Sequence, residues 1–446
     1  MDDNHKIPAY LTGSEAEDFV EYLCKKTFLK HWVFKNPKRL DNDEFSDVAI
    51  VFKDTIILIE VKGNQFDPQN PQRYLKEAMK RHSQLKKAER IVLNKSKQVK
   101  FQNELFSFTT DFQEIKHIYL ISVSTGAGEM EIANSSSRVD FGKIEPEEVG
   151  KYLGFYNEES NIHSFTGDEL LFASKHLDTF KDFFRYLDFE KKFLSNKFNP
   201  QMSGQGIISV VDTHREDLIS IYILNYYWDE DLNTTGEIDL NKILGSADIN
   251  KANLIVYVGT DTRNYLEDDQ AYKKIVEEKK ISYFWDNLID YVITEYTFAY
   301  KITAESPEPQ NLNTSELKSV LEEMTNTSRL QRVIFSEMIK EADEKGYKTR
   351  NMFSMADDSE TLYSYSKIEY TEFPTQEQQQ NNSYAHLYSV WCRVKFADKL
   401  KDFRNKVKKT LLITRHVHQN QSSMTFALST EIKVDIKHCR LMGVIS

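Results

Sequence analysis

Two short runs of β-branched and aliphatic residues, Val48 to Phe52 and Thr55 to Val61, flank the polar pair Lys53-Asp54. Such runs, broken by two polar residues, predict a β-hairpin with a tight turn. If Phe52 pairs with Thr55, the register carries back to set Asp47 opposite Glu60, and strand alternation puts Lys62 on the same face as Glu60. Around the hairpin the period changes. Ala16, Phe19, Val20, Leu23, Cys24 and Phe28 recur at helical spacing within Ser14 to Lys30, with Ser14 as N-cap. His31 to Lys35 reads as a strand, Pro71 to Leu93 as a helix, and Ile118 to Val123 as an apolar strand. The resulting order is αβββαβ, an α/β arrangement.

Downstream, Thr166 and Glu169 predict a capping box that opens a helical stretch through Leu194. Within Gly204 to Tyr227 the runs IISVV and LISIYILNYY predict strands, with Asp212, His214, Glu216 and Asp217 in the polar turn between them. Asn253 to Gly259 predicts another buried strand. SPEPQNLNT reads as a linker, Ser315 to Lys345 as amphipathic helix, and TQEQQQNNS, from Thr375 to Ser383, as a polar spacer. Arg415, His416 and His418 fall in a predicted strand with both histidines on one face, a pattern that favours a surface or nucleic-acid contact over a metal site. The expected organisation is an α/β domain over 1–150, a larger α+β region beginning with a middle domain over 151–305, and a helical segment, spacer and basic region over 306–446.

Charge sharpens this picture. The chain of 446 residues carries a net charge of −11, yet Gln72 to Lys100 holds ten basic residues against Glu77 and Glu89, a local +8. Trp391 to Ser446 is also +8, which leaves −27 for the remainder. A helix charged against the trend suits contact with phosphates. The basic C-terminal region either meets an anion too or is attracted to the acidic body, within a dimer or between domains.

Other classes are excluded. Cys24, Cys392 and Cys439 are too few for a disulfide framework or a four-cysteine zinc site. MDDNHKIPAY has no hydrophobic signal region, and no apolar run approaches the roughly 20 residues of a membrane helix. A cytoplasmic protein without a membrane partner is expected. No glycine-rich phosphate cradle is present, so ATP hydrolysis is not expected.

Asp47, followed on the next strand by Glu60-Val61-Lys62 within an αβββαβ order, resembles the PD-(D/E)XK nuclease superfamily. The E-x-K tripeptide is not specific, since it recurs at Glu190, Glu277, Glu316 and Glu431; its strand and the facing aspartate are what distinguish it. The spacing of Gly13 and Glu17 is similar to the acidic motif of that family's first helix, with Glu15 as the competing residue. Ser46 stands where the family name has proline. The resemblance covers about the first 125 residues, and it implies a restriction-endonuclease-like core. It further implies Mg²⁺ or Mn²⁺ held by Asp47, Glu60 and Glu17, with Lys62 orienting water or stabilising developing charge. Lys80, Arg81, Gln84, Lys86 and Lys87 on the basic helix would contact nucleic acid. The expected activity is a DNA endonuclease of bacterial restriction or anti-phage defence, acting as a homo-oligomer or with a partner defence protein. An RNA-cleaving effector and a non-catalytic nucleic-acid-binding or assembly subunit are the alternatives.

Overall fold

The computed structural model describes residues 11, 13–63, 71–95, 97–125, 152, 156–195, 215–226, 270–294, 299–302, 310–311, 313–344, 352–355, 360–396, 406–419, 421–430 and 434. The chain is mixed α/β and divides into two compact units, with the described residues through Tyr226 in the first and those from Lys273 onward in the second. No described helix is long and apolar enough to cross a membrane.

In the first unit, helix α1 (Gly13–Phe28) follows from its apolar stripe: Ala16, Val20, Leu23, Cys24 and Phe28 are buried. Leu29, at φ 66°, ends the helix in the left-handed region. The strands are β1 (Val33–Lys35), β2 (Lys38–Arg39), β3 (Val48–Phe52) and β4 (Thr55–Lys62), then β5 (Val99–Gln102), β6 (Ser107–Thr110), β7 (His117–Ser124), β8 (Tyr156–Asn157) and β9 (Ile162–Thr166). Helix α2 (Pro71–Asn94) connects β4 to the small sheet β2-β5-β6. The main sheet has the order β1-β3-β4-β7-β9-β8, antiparallel from β1 to β4 and parallel from β4 through β7 to β9. It therefore continues past residue 150, the expected domain end, because Leu120 to Ser124 of β7 pair with Ile162 to Thr166 of β9.

Alternation along the strands gives each face its own layer. Ala49, Val51, Ile56, Leu58, Leu120 and Ile162 pack under Leu85, Ala88, Ile91 and Val92 of α2. The opposite face is covered by α1 and by α3 (Gly167–His176), α4 (Phe180–Ser195) and α5 (Arg215–Tyr226). Phe28 meets Phe180 and Phe183 edge-on, and Phe52 lies 4.1 Å from Phe180 between ring centroids. The capping box is formed: the Glu169 amide donates to Thr166 Oγ1 at 3.1 Å and the Thr166 amide to Glu169 at 2.7 Å. The stretch after it is interrupted at Leu177 to Thr179, so two helices replace one.

The segment expected to be the strand LISIYILNYY is helix α5 instead. Leu218, Ile219, Tyr222 and Ile223 are buried at helical spacing, and that burial overrides the strand preference of β-branched and aromatic residues. Glu216 is buried in α5 rather than displayed on a hairpin turn. Asp212, His214, the run IISVV and the strand expected at Asn253 to Gly259 lie outside the described residues.

The second unit contains α6 (Gln270–Thr294) from Lys273 onward, β10 (Ala299–Ile302), β11 (Gln310–Asn311), α7 (Thr314–Thr325), α8 (Arg329–Glu344), β12 (Met352–Met355), β13 (Thr361–Glu369), α9 (Gln376–Phe396), β14 (Lys409–His418) and β15 (Gln421–Thr430). Its sheet runs β11-β10-β15-β14-β13-β12. Leu387, Val390, Trp391 and Val394 of α9 pack on Leu362, Leu412 and Ala427, while Trp285 of α6 packs with Phe335 and Tyr363. The polar spacer expected over Thr375 to Ser383 is the first half of α9. Thr375 and Gln378 cap it reciprocally, at 2.8 and 3.2 Å, and Gln379 and Ser383 are buried.

The basic C-terminal region is no loose tail where it is described. Lys409 and Arg415 lie in β14 and pair with Glu323 and Asp343, and Lys408 pairs with Glu360. His416 is fully buried and bonded to Tyr370 and Thr425, not displayed at the surface. Among the described cysteines, Cys24 is a free buried thiol and Cys392 is disulfide-bonded.

A buried ionic network ties β9, α3, α4 and α5 together. Glu190 accepts from Arg215 Nε at 2.8 Å and from Tyr186 at 2.9 Å, and lies 2.6 Å from His163 Nδ1. Burial alone would raise the Glu190 pKa, but Arg215 and His163 hold it below the ordinary value. Arg215→Ala leaves that carboxylate underpaired and should cost about 3 to 5 kcal/mol in urea denaturation. Lys408→Ala, at an exposed pair, should change stability by under about 1 kcal/mol. Equal effects would contradict this ranking.

Candidate active site

The β3–β4 hairpin pairs Phe52 with Thr55 and Val48 with Ile59, with Lys53 at φ 51° in its two-residue turn. The next rung sets Asp47 opposite Glu60. Asp47 takes part through its side chain: the Val61 amide donates to Asp47 Oδ2 at 2.6 Å, while the Asp47 carbonyl accepts from the Asn36 amide at 2.8 Å. Cross-strand neighbours have Cβ atoms about 4.5 to 5.5 Å apart. Two carboxylates are thus brought close on the α2 face of the sheet.

Parallel pairing extends this polar row. Glu60 lies beside Ser122 and Lys62 beside Ser124, and the Thr125 amide donates to the Lys62 carbonyl at 3.0 Å. The site therefore sits at the carboxyl ends of β4 and β7, where open α/β sheets commonly place ligands. Glu60 is 5% exposed, whereas the Lys62 side chain is 43% exposed, with its Nζ 3.9 Å from Glu77 of α2.

Glu17 is half-buried on α1, and Asn36 Nδ2 lies 3.4 Å from its Oε2. With its amide turned over, Asn36 donates instead to Glu44 Oε1 at 3.0 Å and to the Asp47 carbonyl at 2.9 Å. The competing Glu15 is exposed, and Asp18 is engaged by Lys35. Glu44 is a member of this acidic group that sequence reasoning missed. It precedes β3 in an irregular loop and joins the group through an isolated bridge to Lys38.

No family model, curated protein or solved structure matches this chain.

The electrostatics follow from burial beside like charge. Burial raises the Asp47 pKa to about 6, with Glu17 and Glu44 adding to the rise and the Val61 amide and Lys62 opposing it. Burial, then Asp47, then Glu44 and Glu17 push Glu60 to about 9 against the pull of Arg81. A divalent cation would relieve this repulsion, so the donor set fits one. Among the described residues no three His, Cys, Asp or Glu side chains converge as a ready-made metal cage. Mg²⁺ does not require one, because it keeps several waters and is commonly held by one or two carboxylates.

The predicted nucleic-acid contacts divide. Lys80, Gln84 and Lys87 are exposed on α2. Arg81 is not a surface contact: it is 5% exposed and donates from Nε to Ser122 at 2.8 Å and from Nη2 to Ser124 at 2.6 Å. Lys86 is turned to the flank, held by the Ser160 carbonyl at 3.2 Å and by Glu89. His82 is also buried. Its pKa is lowered to about 4 by burial and then by Arg81, so the ring is neutral near pH 7.

Both carboxyl shifts are upward, so the folded chain retains protons that the unfolded chain releases. For Glu60, metal-free stability should fall as pH rises from 4.5 to about 9. Glu60→Gln should flatten the curve across that window in thermal melts with chelator present. Parallel curves for the two proteins would contradict the raised pKa of Glu60.

Proposed function

We propose that this chain is a metal-dependent nuclease of the PD-(D/E)XK type, with DNA the favoured substrate. The observation that carries the reading is the desolvated pair Asp47 and Glu60 across a two-residue hairpin, with Lys62 on the same face, at the carboxyl ends of parallel strands. The order α1, β1, β3, β4, α2, β7 is that of a restriction-endonuclease-like core and supports it further.

Asp47 and Glu60 would hold Mg²⁺ or Mn²⁺, with Glu17 reaching the ion through water. When bound, such an ion polarises a phosphodiester and lowers the pKa of coordinated water. The chain supplies orientation and charge. The Val61 amide holds one oxygen of the Asp47 carboxylate in place. Arg81 braces the end of β7 through its two serines and places a positive charge near Glu60. Lys62, at the exposed edge, would orient the attacking water or stabilise charge developing on the phosphate. RNA is the second substrate class, since this chemistry acts on either phosphodiester. A role in bacterial restriction or anti-phage defence rests on the family resemblance.

Incubation with plasmid, single-stranded DNA and total RNA, each with Mg²⁺, Mn²⁺ or chelator, tests the reading. Cleavage should require metal, and Asp47→Asn or Glu60→Gln should reduce it by at least about 100-fold, the scale of losing one electrostatic stabiliser. Lys62→Ala should be equally inactive yet should still bind Mn²⁺ in calorimetry, whereas the two carboxylate variants should not. Undiminished cleavage by all three variants would refute the site. Nucleic-acid binding without cleavage under any condition would favour a non-catalytic subunit.

A further inference from the structure

Helix α2 presents two different charged surfaces. Its acids are turned to the flanks, where Glu77 lies near Lys62 and Glu89 pairs with Lys86. Arg73, Lys76, Lys80, Lys87 and Arg90 are all exposed on its outer side. At about 100° per residue they share roughly one third of the helix circumference. The face opposite is the one that carries Leu85, Ala88 and Val92 into the core. These five cations therefore do not enter the sheet layer at all.

Their direction is fixed by the packing. Near its start, α2 meets the site, through Glu77 to Lys62 and Arg81 to Ser122 and Ser124. Further along it crosses Leu58, Ile56 and Val51, toward the opposite end of β4. Arg73 and Lys76 thus stand at the site end, and Arg90 stands farthest from it. From Arg73 to Arg90 the row is about 25 Å long at 1.5 Å per residue. One strand of a B-form duplex advances about 3.4 Å per phosphate, so the row matches roughly seven phosphates.

We infer that the outer face of α2 is a phosphate track that leads away from the cleft and engages the nucleic-acid backbone several nucleotides beyond the bond at the site. The inference rests on the nuclease reading for the identity of the anion, but binding can be measured without cleavage. Because the chain is −11 overall, this row is a local attractor on a molecule of net negative charge. The track carries no sequence information, since phosphate contacts position a strand without reading its bases. It sets a length requirement instead. Substrates too short to span it lose affinity, not reactivity.

The test is fluorescence anisotropy in chelator, with labelled DNA and RNA oligonucleotides of about 4 to 30 nucleotides over a range of salt. Phosphatidylserine vesicles and polyglutamate serve as competing anions. Replacing Arg73, Lys76, Lys80, Lys87 and Arg90 together by Gln should lower the log–log salt slope by about 3 to 5 for long oligonucleotides, because each phosphate contact contributes about 0.7 to 0.9. For the 4-mer, which covers only about half of the row, the fall in slope should be correspondingly smaller. Lys86→Gln, at a lysine held by Ser160 and Glu89, should leave the slope as it is. An unchanged slope in the five-residue variant, an equal fall with Lys86→Gln, or a loss seen only with vesicles or polyglutamate would overturn the track. If the slope falls as expected and no phosphodiester is cleaved by the wild type, the track stands and the nuclease reading fails.

Discussion

The hydrogen bond from the Val61 amide to the Asp47 carboxylate carries the β3–β4 ladder one rung beyond its last backbone pair. This contact decides where two negative charges lie. A slip of one residue in the hairpin would turn Glu60 and Lys62 to the α1 side and bury Ile59 and Val61 under α2. The two-residue turn and the apolar faces on both sides of the sheet prevent that slip. The register is thus set by hydrophobic burial along the strands, and the charged site inherits its geometry from it.

The same layering explains why the site is polar at one end only. Under α2, the strands are apolar through Ile56, Leu58, Leu120 and Ile162, and then change to Glu60, Lys62, Ser122, Ser124 and Ser164. Arg81 is the only guanidinium that α2 sends into this layer, and its two serine partners hold it beside Glu60. A buried cation near a buried acid offsets part of the desolvation cost of both. Glu60 nevertheless remains well above the ordinary carboxylate range, because its burial, and then Asp47, Glu44 and Glu17 with the same sign, outweigh Arg81. An arrangement of this kind is unfavourable in isolation, and a bound cation would offset the repulsion.

Much of this was legible in the sequence, and the failures have physical causes. The hairpin could be read because a two-residue break between β-branched runs admits few registers. Glu17 could be placed near it from the resemblance of the Gly13–Glu17 spacing to a first-helix acidic motif, but Glu44 could not, because it reaches the group from a loop with no period. The charge count over α2 does not say which cations face outward: Leu85, Ala88 and Val92 put Arg81 on the buried side. In α5, strand-forming residues were overruled by burial at Leu218, Ile219, Tyr222 and Ile223. In α9, a glutamine-rich run concealed a helix whose start was marked by Thr375 and Gln378.

The proposed function requires that the hairpin carboxylates form one cation site. Anomalous X-ray diffraction from crystals soaked in Mn²⁺ addresses it most directly, because it locates the ion without reference to any substrate. The account predicts a peak between Asp47 and Glu60, with oxygen distances of about 2.1 Å as for a small hard cation. No peak there, with Mn²⁺ bound elsewhere or nowhere in the first unit, would contradict it.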